Sequence, residues 1–243
     1  MRNLNLKELA QLLKEFAVGG RFLKQSPHWA PEQMRTWQLQ KIQQLVAHAS
    51  THVPFYRDLY KDAGFELGDL KTWDDFERLP LVSKDDVIAN YPDRMLRSGS
   101  QPDDCIVSRS SGSSGKVLDI CYDSEAMVIY SLAGLRLYKM GFSYRPWHMQ
   151  LYEDINYIEL IEPDSDTGMG TLVGTNLHNY AMPMIRYVQN DLGTIQPSSC
   201  ECGWQFRELS NLQGRKNDSF IMPSGKEISS GFLLDATYEI LLT

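Results

Sequence analysis

An α/β protein is predicted from three observations. The first hundred residues carry apolar side chains at helical spacing, together with helix-capping signals. From Tyr157 onward, short β-prone runs alternate with turn residues. Between these halves lies a loop of small residues, Ser110 to Lys116, with a β-prone run on each side.

The elements follow in order. Leu4, Leu6, Leu9, Leu12, Leu13 and Phe16 share one helical face, so residues 4–17 should form an amphipathic helix, ended by Gly19-Gly20. A second helix is expected from Pro31 to His48, with Met34, Trp37, Ile42, Leu45 and Val46 broadly on one side and Pro31 in its first turn. A third covers Tyr56 to Ala63. Thr72 to Arg78 reads as a short helix capped by Thr72, with Asp75 three residues on, and Ser83 to Asn90 as another capped by Ser83. A short strand at Asp104–Ser108 leads into the loop, and Val117–Tyr122 is the strand after it. Ser124 to Met140 has a helical pattern. Strands are then expected at Tyr157–Ile161, Thr171–Thr175, Met184–Tyr187, Gly193–Ile195 and Phe220–Met222, with turns at Pro163-Asp164 and Ser224-Gly225.

Composition narrows the function classes. The 243 residues carry 31 acidic and 24 basic side chains, a net charge of −7, with 42% apolar and 23% charged residues. Such a chain is too hydrophobic for its charge to be disordered. The acidic balance argues against nucleic acid as a partner. The most apolar stretch, Ala126 to Phe142, is interrupted by Ser131, Arg136 and Lys139, so membrane insertion is not expected. Lys7, Glu8, Lys14 and Glu15 interrupt any signal-peptide core, so a cytoplasmic, reducing location is expected. Cys105 and Cys121, each in an apolar context, read as isolated buried thiols. Cys200-Glu201-Cys202-Gly203 supplies two thiols one residue apart, half of what a tetrahedral zinc site needs.

Ser110-Ser111-Gly112-Ser113-Ser114-Gly115-Lys116 carries the most chemistry. Its glycines allow close backbone approach to an anion, successive N–H groups form a nest for phosphate oxygens, and Lys116 adds a mobile positive charge. A nucleotide triphosphate is the natural guest. Only two residues separate Gly112 from Gly115, and Val117 follows the lysine, so this is not a Walker loop.

This loop resembles the phosphate-binding loop of adenylate-forming (AMP-binding) enzymes, most nearly the phenylacetate–coenzyme A ligase and CapK-like capsular polysaccharide biosynthesis branch. Further segments are similar in the family's order: Ala49-Ser50-Thr51-His52-Val53-Pro54-Phe55-Tyr56-Arg57; Leu79-Pro80-Leu81-Val82-Ser83-Lys84-Asp85-Asp86; Asn176 to Tyr187 followed by Asp191-Leu192-Gly193; and Gly214-Arg215-Lys216-Asn217-Asp218 with Pro223-Ser224-Gly225-Lys226. The resemblance implies an adenylate-forming large domain with the start of a small lid. Residues 1–100 would be its helical part, 101–213 the loop and later strands, and 214–243 the hinge and first part of the lid. It implies that Ser110 to Lys116 hold the ATP phosphates, that Asp191 binds the ribose hydroxyls, and that Arg215 approaches the ribose or phosphates. Asp218 would be the hinge, and Cys200 and Cys202 part of a zinc site. ATP with Mg²⁺ and coenzyme A follow as cofactors, and a small carboxylic acid as partner.

Two departures from the pattern bear on activity. Between Gln150 and Glu153 the family's central segment is absent, and with it the acid pocket and the Thr-Glu motif that positions magnesium. The chain also reads as ending early in the lid, before the lysine that drives adenylation. Three readings therefore stand: an acid–thiol ligase, an inactive nucleotide-binding remnant or partner protein of the same family, and a small zinc-binding interaction module. Marginal stability or association is expected. Oligomeric state stays open, a homo-dimer included.

Overall fold

In the computed structural model, residues 6–110, 117–141, 150–198, 200–215, 220–221 and 227–228 are described. Residues 111–116, Asp218 and the turn at Ser224-Gly225 lie outside the described residues. Six helices are described: α1 (Leu6–Gln25), α2 (Pro31–His52), α3 (Pro54–Asp62), α4 (Trp73–Glu77), α5 (Lys84–Asn90) and α6 (Ser124–Gly141). The described strands are β1 (Ile106–Arg109), β2 (Asp119–Tyr122), β3 (Asn156–Ile161), β4 (Gly170–Asn176), β5 (Tyr187–Gln196), β6 (Glu208–Arg215), β7 (Phe220–Ile221) and β8 (Glu227–Ile228). No described helix is long and apolar enough to cross a membrane.

Local chemistry explains the helix starts. Pro31 and Pro54 occupy the first turns of α2 and α3, where a missing N–H costs nothing. Thr72 and Ser83 each close a reciprocal capping box, with Asp75 and Asp86 respectively. Asp123 caps α6, its Oδ1 accepting from the Ala126 N–H at 2.8 Å.

Two sequence expectations need correction, and one strand was not anticipated. Gly19-Gly20 does not end α1, which runs on to Gln25. Gly19 instead marks a close approach: a Cβ there would lie 2.9 Å from Ile129 Cδ1 and 3.2 Å from Leu132 Cδ1 of α6. Met184–Tyr187 is not a strand of its own. Met184 to Arg186 form a buried lead-in, and β5 begins at Tyr187, taking in the expected Gly193–Ile195 strand. β6 carries no expectation from the sequence. It is the edge of the sheet, where backbone pairing needs little apolar signal.

The main sheet has the order β3-β4-β5-β6 and is antiparallel throughout. β1 and β2 form a separate antiparallel hairpin, and β7 pairs with β8. The core lies between the sheet and the helices. Ile42 and Leu45 of α2, Tyr56 of α3, Phe76 of α4 and Val87 of α5 pack with Tyr157, Leu177, Met182 and Ile185. α1 and α6 pair beside it through Leu23 and Ala133, joined by Ile155.

Candidate functional site

The Gly/Ser loop is carried by the β1–β2 hairpin, whose register runs from Ile106↔Tyr122 to Arg109↔Asp119. Beyond the last pair, the Ser110 N–H donates to the Leu118 carbonyl at 2.8 Å. The Leu118 N–H returns to Ser110 Oγ at 2.8 Å. Arg109 reinforces this end, giving two hydrogen bonds to the Asp119 carboxylate at 2.7 and 2.9 Å. Arg109 holds the Asp119 carboxyl below its ordinary range. The ladder thus brings the two ends of the loop within about 5 Å of each other, one strand spacing. Ser110 serves the clasp. Ser111, Gly112, Ser113, Ser114, Gly115 and Lys116 lie outside the described residues.

The hairpin rests on the segment between β4 and β5. The Asn179 amide, fully buried, donates to the Cys121 carbonyl at 2.8 Å and to the Met182 carbonyl at 3.0 Å. Asn176 Oδ1 shapes the turn before it by accepting from the N–H groups of His178 and Asn179. The Tyr56 hydroxyl donates to the Pro183 carbonyl and accepts from the Ile185 N–H, both at 3.0 Å. Burial pushes that phenol well above its ordinary pKa.

Arg186 closes the arrangement. Its φ of 49° turns the chain into β5. Its guanidinium is buried, pairs with Glu159 at 2.8 Å, and donates to the carbonyls of Glu77 and Leu79. Burial raises the Glu159 carboxyl, and Arg186 partly offsets this. Val82 then joins β5, its N–H donating to the Arg186 carbonyl and its carbonyl accepting from the Val188 N–H. Three of the segments that carried the resemblance therefore meet in one buried junction, around Tyr56, Val82 and Arg186.

Asp191 lies on β5 directly opposite Arg215 on β6. Asn190 before it has a φ of 64°, and the register shifts between Leu192 and Thr194. The two positions assigned to the ribose and phosphates are thus cross-strand partners, about 5 Å apart at Cα. Asp218 lies outside the described residues.

The cysteines form two pairs of neighbours. Cys105 and Cys121 are free thiols, Cys121 buried and Cys105 partly so, and they lie next to each other: burial, then the neighbouring Cys121 thiol, pushes the Cys105 thiol up to about 11. Tyr91 Oη lies 3.5 Å from Cys121 Sγ. The Cys202 N–H donates to Cys200 Sγ at 3.2 Å, and Cys202 Sγ donates to Gln150 Oε1 at 3.5 Å. Burial, then its Cys202 neighbour, raises the Cys200 thiol. Among the described residues, no group of three or more His, Cys, Asp or Glu side chains is placed to hold a metal ion. Zinc thus finds no complete set of donors among the described residues.

Sequence reasoning also missed Asp154, a buried carboxylate held by Arg136 at 2.5 and 2.9 Å and by the Ser26 hydroxyl. The Arg136 guanidinium lies over the rings of Tyr152, Trp204 and Phe206. Its only trace in the sequence is an arginine inside an apolar helix.

No protein-family model matches the chain. Phenylacetate-coenzyme A ligase from Thermus thermophilus is 28% identical over 100 residues, 41% of this chain and 22% of that protein. The ligases of the same name from Aromatoleum evansii and Pseudomonas putida are 32% and 30% identical over 93 and 89 residues, each match covering 37% of this chain and 20% of that protein. The matched part of the chain thus spans about a fifth of the length of these relatives. Among solved structures, 2-hydroxyisobutyryl-CoA ligase in the postadenylation state superposes with a TM-score of 0.70 at 15% identity, covering 89% of this chain and 74% of that one. The same ligase in an open conformation with 2-HIB-AMP and CoA gives 0.64 at 16% identity. The chain therefore has the mixed α/β fold of an adenylate-forming ligase.

Proposed function

We propose that the chain derives from ATP-dependent carboxylate activation: an organic acid attacks the α-phosphate of ATP, pyrophosphate leaves, and coenzyme A takes the acyl group from the adenylate. The observation that carries this reading is the clasped hairpin. Ser110 and Leu118 hold the ends of a Gly/Ser loop together on a fold shared with a CoA ligase solved with its acyl-AMP and CoA. On this reading the N–H groups of 111–116 and the Lys116 ammonium take the phosphates, Asp191 accepts from the ribose hydroxyls, and Arg215 supplies positive charge beside it. Cytoplasmic location, phenylacetate-like acids and a link to capsular polysaccharide assembly belong to the same proposal.

A nucleotide-binding remnant is the second reading, and a specific observation favours it. Gln150 bridges to Glu208 and the Leu151 N–H donates to the Arg207 carbonyl. The chain thus enters the sheet directly where the resemblance expects the acid pocket and the Thr-Glu motif. Pyrophosphate release should be measured with ATP, Mg²⁺, coenzyme A and a panel including phenylacetate and 2-hydroxyisobutyrate, alongside calorimetric titration of ATP. Release with any acid supports the ligase. Heat without release supports the remnant. Neither signal overturns both.

A further inference from the structure

A cleft of about 360 Å³ opens between α1, α2 and the first turns of α6, with no residue of β1 or β2 among those that line it. That volume falls in the range of small-molecule sites, roughly 300–1,000 Å³. Its inner wall is aromatic: Phe22 and Trp37 lie 4.9 Å apart, and the His178 ring is 6.1 and 6.0 Å from them. Val128 and Ile129 of α6 form the opposite apolar side.

One cation reaches into this cleft from α2. Lys41 is half-buried, and its Nζ lies 5.6 Å from the centre of the Tyr180 ring. Burial lowers its pKa despite the attraction of Glu125, so the charge already facing it does not replace the water it has lost. His178 is neutral at pH 7, because burial drops it to about 4; the Asp154 carbonyl works against this drop and the Lys41 charge adds to it. At the mouth, Lys14 and Glu15 balance each other in charge. A ligand with a flat apolar body and one anionic end would cover the rings and supply Lys41 with a second carboxylate.

We propose that this cleft binds a small aromatic monocarboxylate, its ring against Phe22, Trp37 and His178 and its carboxylate on Lys41. Asp191 is not among the described residues that line the cleft, and the proposal does not rest on nucleotide binding.

The test titrates the chain with 4-fluorophenylacetate, without nucleotide, followed by fluorine NMR. Saturable broadening is expected. Lys41→Met should weaken it at least about tenfold, the loss of a charge-assisted contact. Val18→Trp should abolish it by plugging the mouth, and Val18 is 62% exposed, so the fold tolerates the change. 4-Fluorobenzylamine should show no saturable broadening, and Asp191→Asn should bind like the wild type. The proposal is overturned if no broadening saturates, or if both cleft variants bind like the wild type. It is equally overturned if the amine binds as tightly as the acid. Binding lost in Asp191→Asn but kept in Val18→Trp would place the acid at the activation site and also overturn the proposal.

Discussion

Arg186 shows how one side chain ties separate motifs together. Its guanidinium pairs with Glu159 and takes the carbonyls of Glu77 and Leu79, so its removal strands a buried carboxylate and two acceptors. Arg186→Met should cost about 3–5 kcal/mol, read from the urea midpoint at constant slope. Adding Glu159→Leu should restore part of that loss, because the stranded charge goes with it. His178 gives a pH signature. Its folded pKa, about 4, lies below the unfolded value of about 6.5, so the unfolded chain binds the proton first as pH falls. The stability it contributes is complete above pH 6.5 and drains away toward pH 4, by up to about 3 kcal/mol. Comparing urea unfolding at pH 7 and 4.5, His178→Gln should lose clearly less than the wild type. An equal loss in both would show that other groups govern the acid transition. Arg186 stood in a quoted motif, but nothing in its neighbours on the chain revealed that its partners lie near residues 77–79 and 159.

At the scale of elements, the two glycines of α1 make a matched pair. Gly19 faces α6 at a distance that admits no Cβ without a shift of Ile129, whereas around Gly20 nothing lies within 4 Å. Gly19→Val should therefore destabilise by roughly 1–3 kcal/mol through overpacking. Gly20→Ala should stabilise by about 0.5–1 kcal/mol, because alanine loses less backbone freedom in a helix. Thermal melts of the two variants should move in opposite directions, and a common direction would contradict the α1–α6 packing. The capped helices were legible because their signals are local: Thr72 with Asp75, Ser83 with its first turn. β5 was fragmented in the sequence because Gln189, Asn190 and Asp191 interrupt its apolar pattern, and β6 was hidden because an edge strand is specified by its neighbour.

For the whole molecule, β1 is an exposed strand of the fold. Ile106, Val107 and Val117 stay 51%, 41% and 50% exposed, and every residue of β1 faces solvent. Apolar side chains on an open strand edge favour association. Sedimentation at tens of micromolar should show a dimer or larger species, which Ile106→Lys with Val107→Lys should shift toward monomer. A wild-type monomer at all concentrations would contradict this. The sequence by itself determined the α/β class, the capped helix starts and the hairpin around the Gly/Ser loop, because each rests on short-range spacing, while the likeness in fold to adenylate-forming ligases came from the resemblance of whole motifs. Only the tertiary structure decided that Tyr56, Val82 and Arg186 meet, that Asp191 faces Arg215, and that Cys105 neighbours Cys121. Those pairings join residues far apart in the chain, and they form because buried polar groups must find partners wherever the packing of the core brings them.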